Sequence, residues 1–96
     1  MTLINSWVNL GLQPAQYRKL GDMVYIRGQI QSGASGTSAF TVPVGFRPPT
    51  SLDLSIVAYS GGAVVALASV QAGGPFNIWT AATGNVSINC QWSVTV

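Results

Sequence analysis

The sequence lacks the side chains that most enzymes use for acid and base chemistry. It has no histidine and no glutamate, and its only carboxylate side chains are Asp22 and Asp53. Without histidine, a general base working near neutral pH would have to come from one of these two aspartates. A glycosidase-like pair would require Asp22, expected in a turn, to converge with Asp53, expected at the start of a strand. We therefore predict that the protein is not an enzyme, and a polysaccharide hydrolase is the least favoured hypothesis.

Cysteine and long apolar runs are scarce as well. Cys90 is the single cysteine, so it cannot form an intramolecular disulfide or a multi-cysteine metal site. We expect no metal and no cofactor, and we expect Cys90 to be a small buried apolar residue. The most apolar stretch, 63–70, is far shorter than the roughly 20 residues that span a bilayer. Since no targeting segment is visible at the N-terminus, we expect a product made in the cytoplasm without membrane insertion.

Charged residues are also scarce. Charged residues make up 6% of the chain and hydrophobic residues 48%, whereas a typical soluble domain is about 25% charged. The net charge of +2 is small and scattered, which excludes the clustered basic face that nucleic-acid binding requires. A monomer so poor in charge would be hard to keep in solution. We therefore predict a homo-oligomer, with much of the surface buried against other subunits or a larger assembly.

Alternation of apolar and polar residues is the main structural signal present. In 85–96 the apolar residues fall at every even position, which indicates a strand with one buried face. The segment 52–59 alternates with both sides partly apolar, which predicts a central strand. The segment 63–71 reads as another apolar strand, although its alanines would also suit a helix. We place further strands at 15–20, 23–31, 40–42 and 76–80, with turns at Gly61 and Gly62 and at Thr83, Gly84 and Asn85.

The dipeptide at 21–22, Gly-Asp, suits a two-residue hairpin loop. This loop sets the register of the flanking strands, so that Leu20 faces Met23 and Arg18 faces Tyr25. In that register the Arg18 guanidinium could lie over the Tyr25 ring.

The strand count determines the predicted fold class. Seven or eight short strands and no convincing helix predict an all-β fold, a single compact antiparallel β-sandwich or jelly-roll-like domain. A chain of 96 residues has room for one hydrophobic core, so we assign 1–96 to one domain.

Exposed aromatic residues are the first candidates for binding. Trp79 is out of phase with Phe76 and Ile78, so its indole should point away from their face, beside Asn77. An outward tryptophan can stack on a sugar ring or pack against a neighbouring subunit, and the low charge favours the subunit. Trp92 falls on the inward phase of the last strand and is expected in the core.

Three further residues complete the set of ligand or interface candidates. Arg27 and Arg47 could each hold a carboxylate or phosphate of a partner, or donate hydrogen bonds to a neighbouring subunit. Tyr25 lies in the same predicted strand as Arg27, and its phase leaves open whether it is buried or exposed.

The first half of the chain resembles small domains found at the C-terminal ends of phage tail-fibre and minor tail proteins. The resemblance is carried by Trp7, by PAQYRKLGDMVYIRG at 14–28 and by FTVPVGFRP at 40–48. From about residue 60 onward it is generic. It implies a compact β-sandwich that forms homotrimers on the outside of a virion and often touches the host surface.

The resemblance also sets the functional expectations. Such domains usually end a long chain with a stalk, whereas this sequence begins at Met1 and runs for 96 residues, so we expect a free-standing copy that docks through its own surface. We predict a non-enzymatic virion structural protein of a tailed bacteriophage, a surface trimer that decorates the capsid and contacts the major capsid protein. The alternative is a tail-fibre or tail-tip receptor-binding module that recognises host cell-surface carbohydrate.

Overall fold

The computed structural model describes residues 2–11, 13–33, 36–59, 63–79 and 85–95. The hairpin turn predicted at Gly61 and Gly62 and the turn predicted at Thr83 and Gly84 lie outside these residues. Within them, no helix is long and apolar enough to cross a membrane. The described strands, in chain order, are β1 (Val8–Asn9), β2 (Gln16–Leu20), β3 (Met23–Gln31), β4 (Thr37–Thr41), β5 (Leu52–Tyr59), β6 (Ala63–Val70), β7 (Pro75–Trp79) and β8 (Asn85–Ser93).

These eight strands belong to one antiparallel sheet. Their order is β1-β3-β8-β5-β6-β7-β4, and β2 also pairs with β3. Because β8 pairs with β3 along its whole length, β1 and β2 must share the other edge of β3. The pairing between β8 and β5 is short, from Val57 to Tyr59 on β5. Among the described residues, the rest of β5 pairs with β6 but not with β8, which allows the sheet to bend there.

The sheet curls into a half-barrel around a single core. In the sheet order β5 and β6 separate β8 from β7, yet the rings of Trp92 on β8 and Phe76 on β7 lie 6.3 Å apart. Phe76 also stacks on Phe40 of β4 at 4.6 Å between centroids. The Trp92 Nε1–H donates a hydrogen bond of 2.8 Å to the carbonyl oxygen of Phe46. Aromatic side chains in the interior therefore join β8 to β7, two strands that are not neighbours in the sheet.

The fold-class prediction is confirmed for the all-β antiparallel class and for the strand number. The segment 63–71, whose alanines also suited a helix, contains strand β6. The finer prediction of a sandwich or jelly roll is not confirmed, because the described strands form one continuous curled sheet. The trimer stays a prediction.

The predicted hairpin register is confirmed in full. Leu20 pairs with Met23 and Arg18 pairs with Tyr25 across a two-residue loop. Gly21 takes a φ of +58° at the first loop position, where a II′ hairpin turn requires glycine.

Trp7 belongs to the core. It is buried, and its Nε1–H donates a 3.0 Å hydrogen bond to the hydroxyl of Thr37. Its ring lies against the backbone of Gly33, where an added Cβ would come within 1.9 Å of the indole. Trp92 is also buried, as its phase in the last strand predicted.

Gly28 is a second backbone position at which a side chain would clash. Its φ is +147°, a region that residues other than glycine scarcely occupy. A Cβ there would lie 2.4 Å from the Cα of Ala15, and backbone atoms cannot move aside as a flexible side chain can. Gly28 therefore lets the segment before β2 cross directly over β3.

We expect Gly28→Ala to lower the free energy of unfolding by about 3 kcal/mol or more, because it adds a backbone clash to an unfavourable φ. Gly21→Ala is the matched control, since a Cβ at Gly21 meets nothing within 4 Å and only the left-handed φ costs about 1 to 2 kcal/mol. Urea unfolding of the two variants measures both values. Equal losses would show that the contact with Ala15 is unimportant.

Candidate functional site

The outward side of β2, β3 and β8 carries two rows of polar side chains. In one row Arg27 of β3 lies between Gln16 of β2 and Asn89 of β8. In the next row Tyr25 lies between Arg18 and Gln91 in the same way. Directly paired residues share a side of a sheet, so the six side chains form one surface. We call this surface the polar face; it consists of Gln16, Arg18, Tyr25, Arg27, Asn89 and Gln91.

The polar face is hollowed by a shallow cleft. The cleft has a volume of about 420 Å³, within the range of small-molecule sites. Its lining consists of Gln16, Tyr17, Arg18, Leu20, Tyr25, Ile26, Arg27 and Asn89. A second hollow of about 400 Å³ is lined by Gln13, Pro14, Gln16, Arg27 and Gly28. Since Gln16 and Arg27 line both, they stand where the two hollows meet.

The charged side chains of the polar face are all positive. The face carries Arg18 and Arg27 and no acidic side chain. Within the described part of the chain, neither guanidinium makes a hydrogen bond or an ion pair. The predicted stacking of Arg18 on Tyr25 is wrong, although their pairing is correct. Among the described residues, the cation that lies over a ring is Lys19, whose Nζ lies 5.7 Å from the centroid of Phe46 on the other side of β2.

A second outward surface, over β5, β6 and β7, is apolar. Val57 pairs with Val65, and Leu67 pairs with Trp79. Their exposed fractions are 41%, 80%, 47% and 38% in that order, so large apolar side chains face solvent across three neighbouring strands. We call these four residues the apolar face. Scattered exposed apolar residues are ordinary, but a contiguous group usually marks a contact surface.

The predicted site residues Trp79 and Asn77 lie at the apolar face and its border. Trp79 points outward, as its phase relative to the buried Phe76 and Ile78 predicted. Asn77 is half-buried and pairs with Ser69 of β6, one row along the sheet from the pair of Leu67 and Trp79. The structure therefore separates these two residues from Tyr25 and Arg27, which sit together on the polar face.

Arg47 lies apart from both faces and makes contacts within the chain. Its Nε–H donates a 2.8 Å hydrogen bond to the carbonyl oxygen of Val42. Its guanidinium covers Gly74, where an added Cβ would lie 2.9 Å from Nε. These contacts give Arg47 a structural role in holding the segment after β4 against the turn before β7.

Four polar-face residues were missed as site candidates by the sequence reasoning: Gln16, Arg18, Asn89 and Gln91. The hairpin register already placed Arg18 opposite Tyr25, so that signal was available. The polar phase of the last strand likewise contained Asn89 and Gln91. Their approach to Tyr25 and Arg27 depends on the pairing of β3 with β8, which are separated by more than fifty residues of chain, and no local pattern encodes that pairing.

The two aspartates considered for catalysis, and the single cysteine, lie on different elements of the fold. Asp22 lies in the β2–β3 hairpin and its carbonyl oxygen accepts a hydrogen bond from the Val94 N–H; Asp53 is exposed on β5. Cys90 is half-buried against the core, and this burial raises the pKa of its thiol. The described residues contain no group of three His, Cys, Asp or Glu that could hold a metal ion.

Comparison with known proteins adds a fold relationship. No protein-family model matches the chain, and no curated protein matches it by sequence. Among solved structures, it is similar to the head domain of lactococcal phage bIL170, with a TM-score of 0.59 and 19% sequence identity over 95% of this chain and 91% of that chain. The chain has the fold of this head domain. The solved structure is presented among the receptor-binding domains of lactococcal phages, so the resemblance seen in the sequence is confirmed at the level of the fold.

The two arginines among the predicted site residues should differ in their effect on stability. Arg47→Ala removes a hydrogen bond and the cover over Gly74, and we expect it to lower the free energy of unfolding by about 1 to 2 kcal/mol. Arg27→Ala removes a side chain with no such partner among the described residues, and its effect should stay within about 0.5 kcal/mol. Thermal and urea unfolding of both variants measure the difference. A larger loss for Arg27→Ala than for Arg47→Ala would contradict these roles.

Proposed function

We propose that the protein is a non-enzymatic, tail-associated surface domain of a tailed-phage virion, and that it binds host cell-surface carbohydrate through the polar face. The observation that carries the proposal is the cleft between Tyr25, Arg27 and Asn89, placed on the fold of a phage receptor-binding head domain. Neither part suffices alone, since one fold can host many functions.

The chemistry of the polar face suits a saccharide. Tyr25 is 39% exposed, which leaves ring surface for stacking on the apolar side of a sugar while its hydroxyl remains available for hydrogen bonding. The amides of Gln16, Asn89 and Gln91 each offer both donors and an acceptor. Sugar hydroxyls also donate and accept, so the matching of these groups favours a carbohydrate over an apolar ligand.

Decoration of the capsid, which the sequence favoured, is the alternative location. The fold relationship supports the tail, because the head domain to which this chain is similar belongs to receptor-binding domains. Both locations place the protein on the virion surface after synthesis in the host cytoplasm. Capsid decoration would make the major capsid protein its partner and would leave the cleft without a ligand.

The apolar face provides the surface for self-association in this proposal. A protein with 48% hydrophobic and 6% charged residues needs its apolar surface covered. Val65 and Leu67 lie at the middle of the apolar face, flanked by Val57 and Trp79, and the described part of the chain leaves them exposed. We assign this face to contacts between copies of the chain, with a homotrimer as the expected assembly, and Trp79 to that contact rather than to a sugar site.

The carbohydrate site is tested by adsorption of the purified protein to host cells. Tyr25→Ala should weaken binding about fivefold or more, because a stacking contact is worth about 1 kcal/mol. Tyr25→Phe retains the ring and serves as the matched control, with a loss of about twofold or less. If Trp79→Ala abolished adsorption while Tyr25→Ala left it unchanged, the sugar site would lie on the apolar face and the assignment to the polar face would be wrong.

The role of the apolar face is tested by Val65→Lys and a control at Val44. The two valines are 80% and 81% exposed, so a lysine costs little in the monomer at either place. Val65→Lys should convert the oligomer to monomers in sedimentation or light scattering, because a charge in the interface lacks a partner. Val44→Lys should leave the assembly intact. Retention of the oligomer by Val65→Lys would exclude this face as the contact.

A further inference from the structure

We propose that the ligand of the polar face is an anionic polysaccharide, and that Arg18 and Arg27 together hold its phosphate or carboxylate group. This inference rests on the proposed function, since it names the class of carbohydrate bound at the same site. The composition does not suggest it, because the net charge is only +2. It follows from where the four cations of the chain are placed.

The four cations divide into two pairs with different surroundings. Lys19 donates a 2.8 Å hydrogen bond to the carbonyl oxygen of Gly45, and Arg47 donates one of the same length to Val42. Both are therefore engaged by backbone carbonyls within the chain. Arg18 and Arg27 have no hydrogen-bond or ion-pair partner among the described residues, and both line the same cleft.

The register brings the second pair close enough to share one ligand. Arg18 pairs with Tyr25, and Arg27 pairs with Gln16, so the two arginines are diagonal neighbours on adjacent strands. Diagonal neighbours on one face lie roughly 7 to 8 Å apart, within reach of long side chains. Each planar guanidinium can donate two parallel hydrogen bonds to a phosphate or carboxylate. An anionic group above the cleft could thus be held from both strands.

The acidic residues leave this positive charge uncompensated. The chain has two acidic side chains: Asp22 lies in the hairpin loop beyond Met23, and Asp53 lies on β5 in the row that pairs with Ser69. Neither lines the cleft. Two like charges in one depression repel each other, and a bound anion removes that repulsion. The amides beside the arginines would then bind the neutral hydroxyls of the same polymer.

The experiment measures binding of the protein to wall polysaccharide extracted from the bacterium that it adsorbs to. Portions of the polysaccharide are treated with mild hydrofluoric acid, which cleaves phosphodiesters, or with carbodiimide and borohydride, which reduce carboxylates to alcohols. Arg18→Gln and Arg27→Gln should each weaken binding to the untreated polysaccharide about fivefold, and 0.5 M salt should weaken it further. Lys19→Gln is the matched control, because it removes the same charge from the other side of β2; its affinity should change about twofold or less.

One of the two treatments should abolish the effect of both arginine substitutions, and which treatment does so identifies the group as phosphate or carboxylate. Equal binding before and after both treatments, together with unchanged affinity of Arg18→Gln and Arg27→Gln, would overturn the anionic ligand while leaving carbohydrate binding intact. If the protein bound neither cells nor any form of the polysaccharide, the proposed function itself would fail, and this inference would fail with it.

Discussion

The contact between the rings of Trp92 and Phe76 bridges the interior of the sheet. It joins β8 to β7, which β5 and β6 separate in the sheet, and so forces the sheet to curl. The hydrogen bond from the Trp92 indole to the Phe46 carbonyl extends the contact to the segment between β4 and β5. Truncating a buried tryptophan typically costs about 3 to 5 kcal/mol, a large part of the stability of a domain this size.

The curl gives the outward side of the sheet two surfaces of different chemistry. On β2, β3 and β8 it carries arginines, amides and a tyrosine around a cleft, while on β5, β6 and β7 it carries the four apolar side chains of the apolar face. A flat sheet would place both on one side, next to each other. The curl turns them in different directions, so one can face a neighbouring subunit while the other faces a ligand.

Local patterns in the sequence predicted β2, β3 and β5 to β8, the register of the β2–β3 hairpin and the outward direction of Trp79, because each depends on residues close together in the chain. They missed β1, and they placed a strand at 40–42 where β4 spans Thr37–Thr41. They did not predict that Arg47 binds the Val42 carbonyl or that Trp7 rests on Gly33. Both contacts depend on how loops fold over the sheet. Within the candidate site, Tyr25 and Arg27 were named from the sequence, whereas Asn89 joins them through the long-range pairing of β3 with β8. A single sequence contains no periodicity that reports such a pairing.

We propose separate roles for the two outward surfaces, and an electron cryo-microscopy map of the protein on purified virions would show which surface each neighbour covers. We expect density for this domain at the tail, with the apolar face around Val65 covered by other copies of the chain and the polar face around Arg27 open to solvent. A map in which the polar face is buried against neighbouring subunits while Val65 remains exposed would contradict these roles.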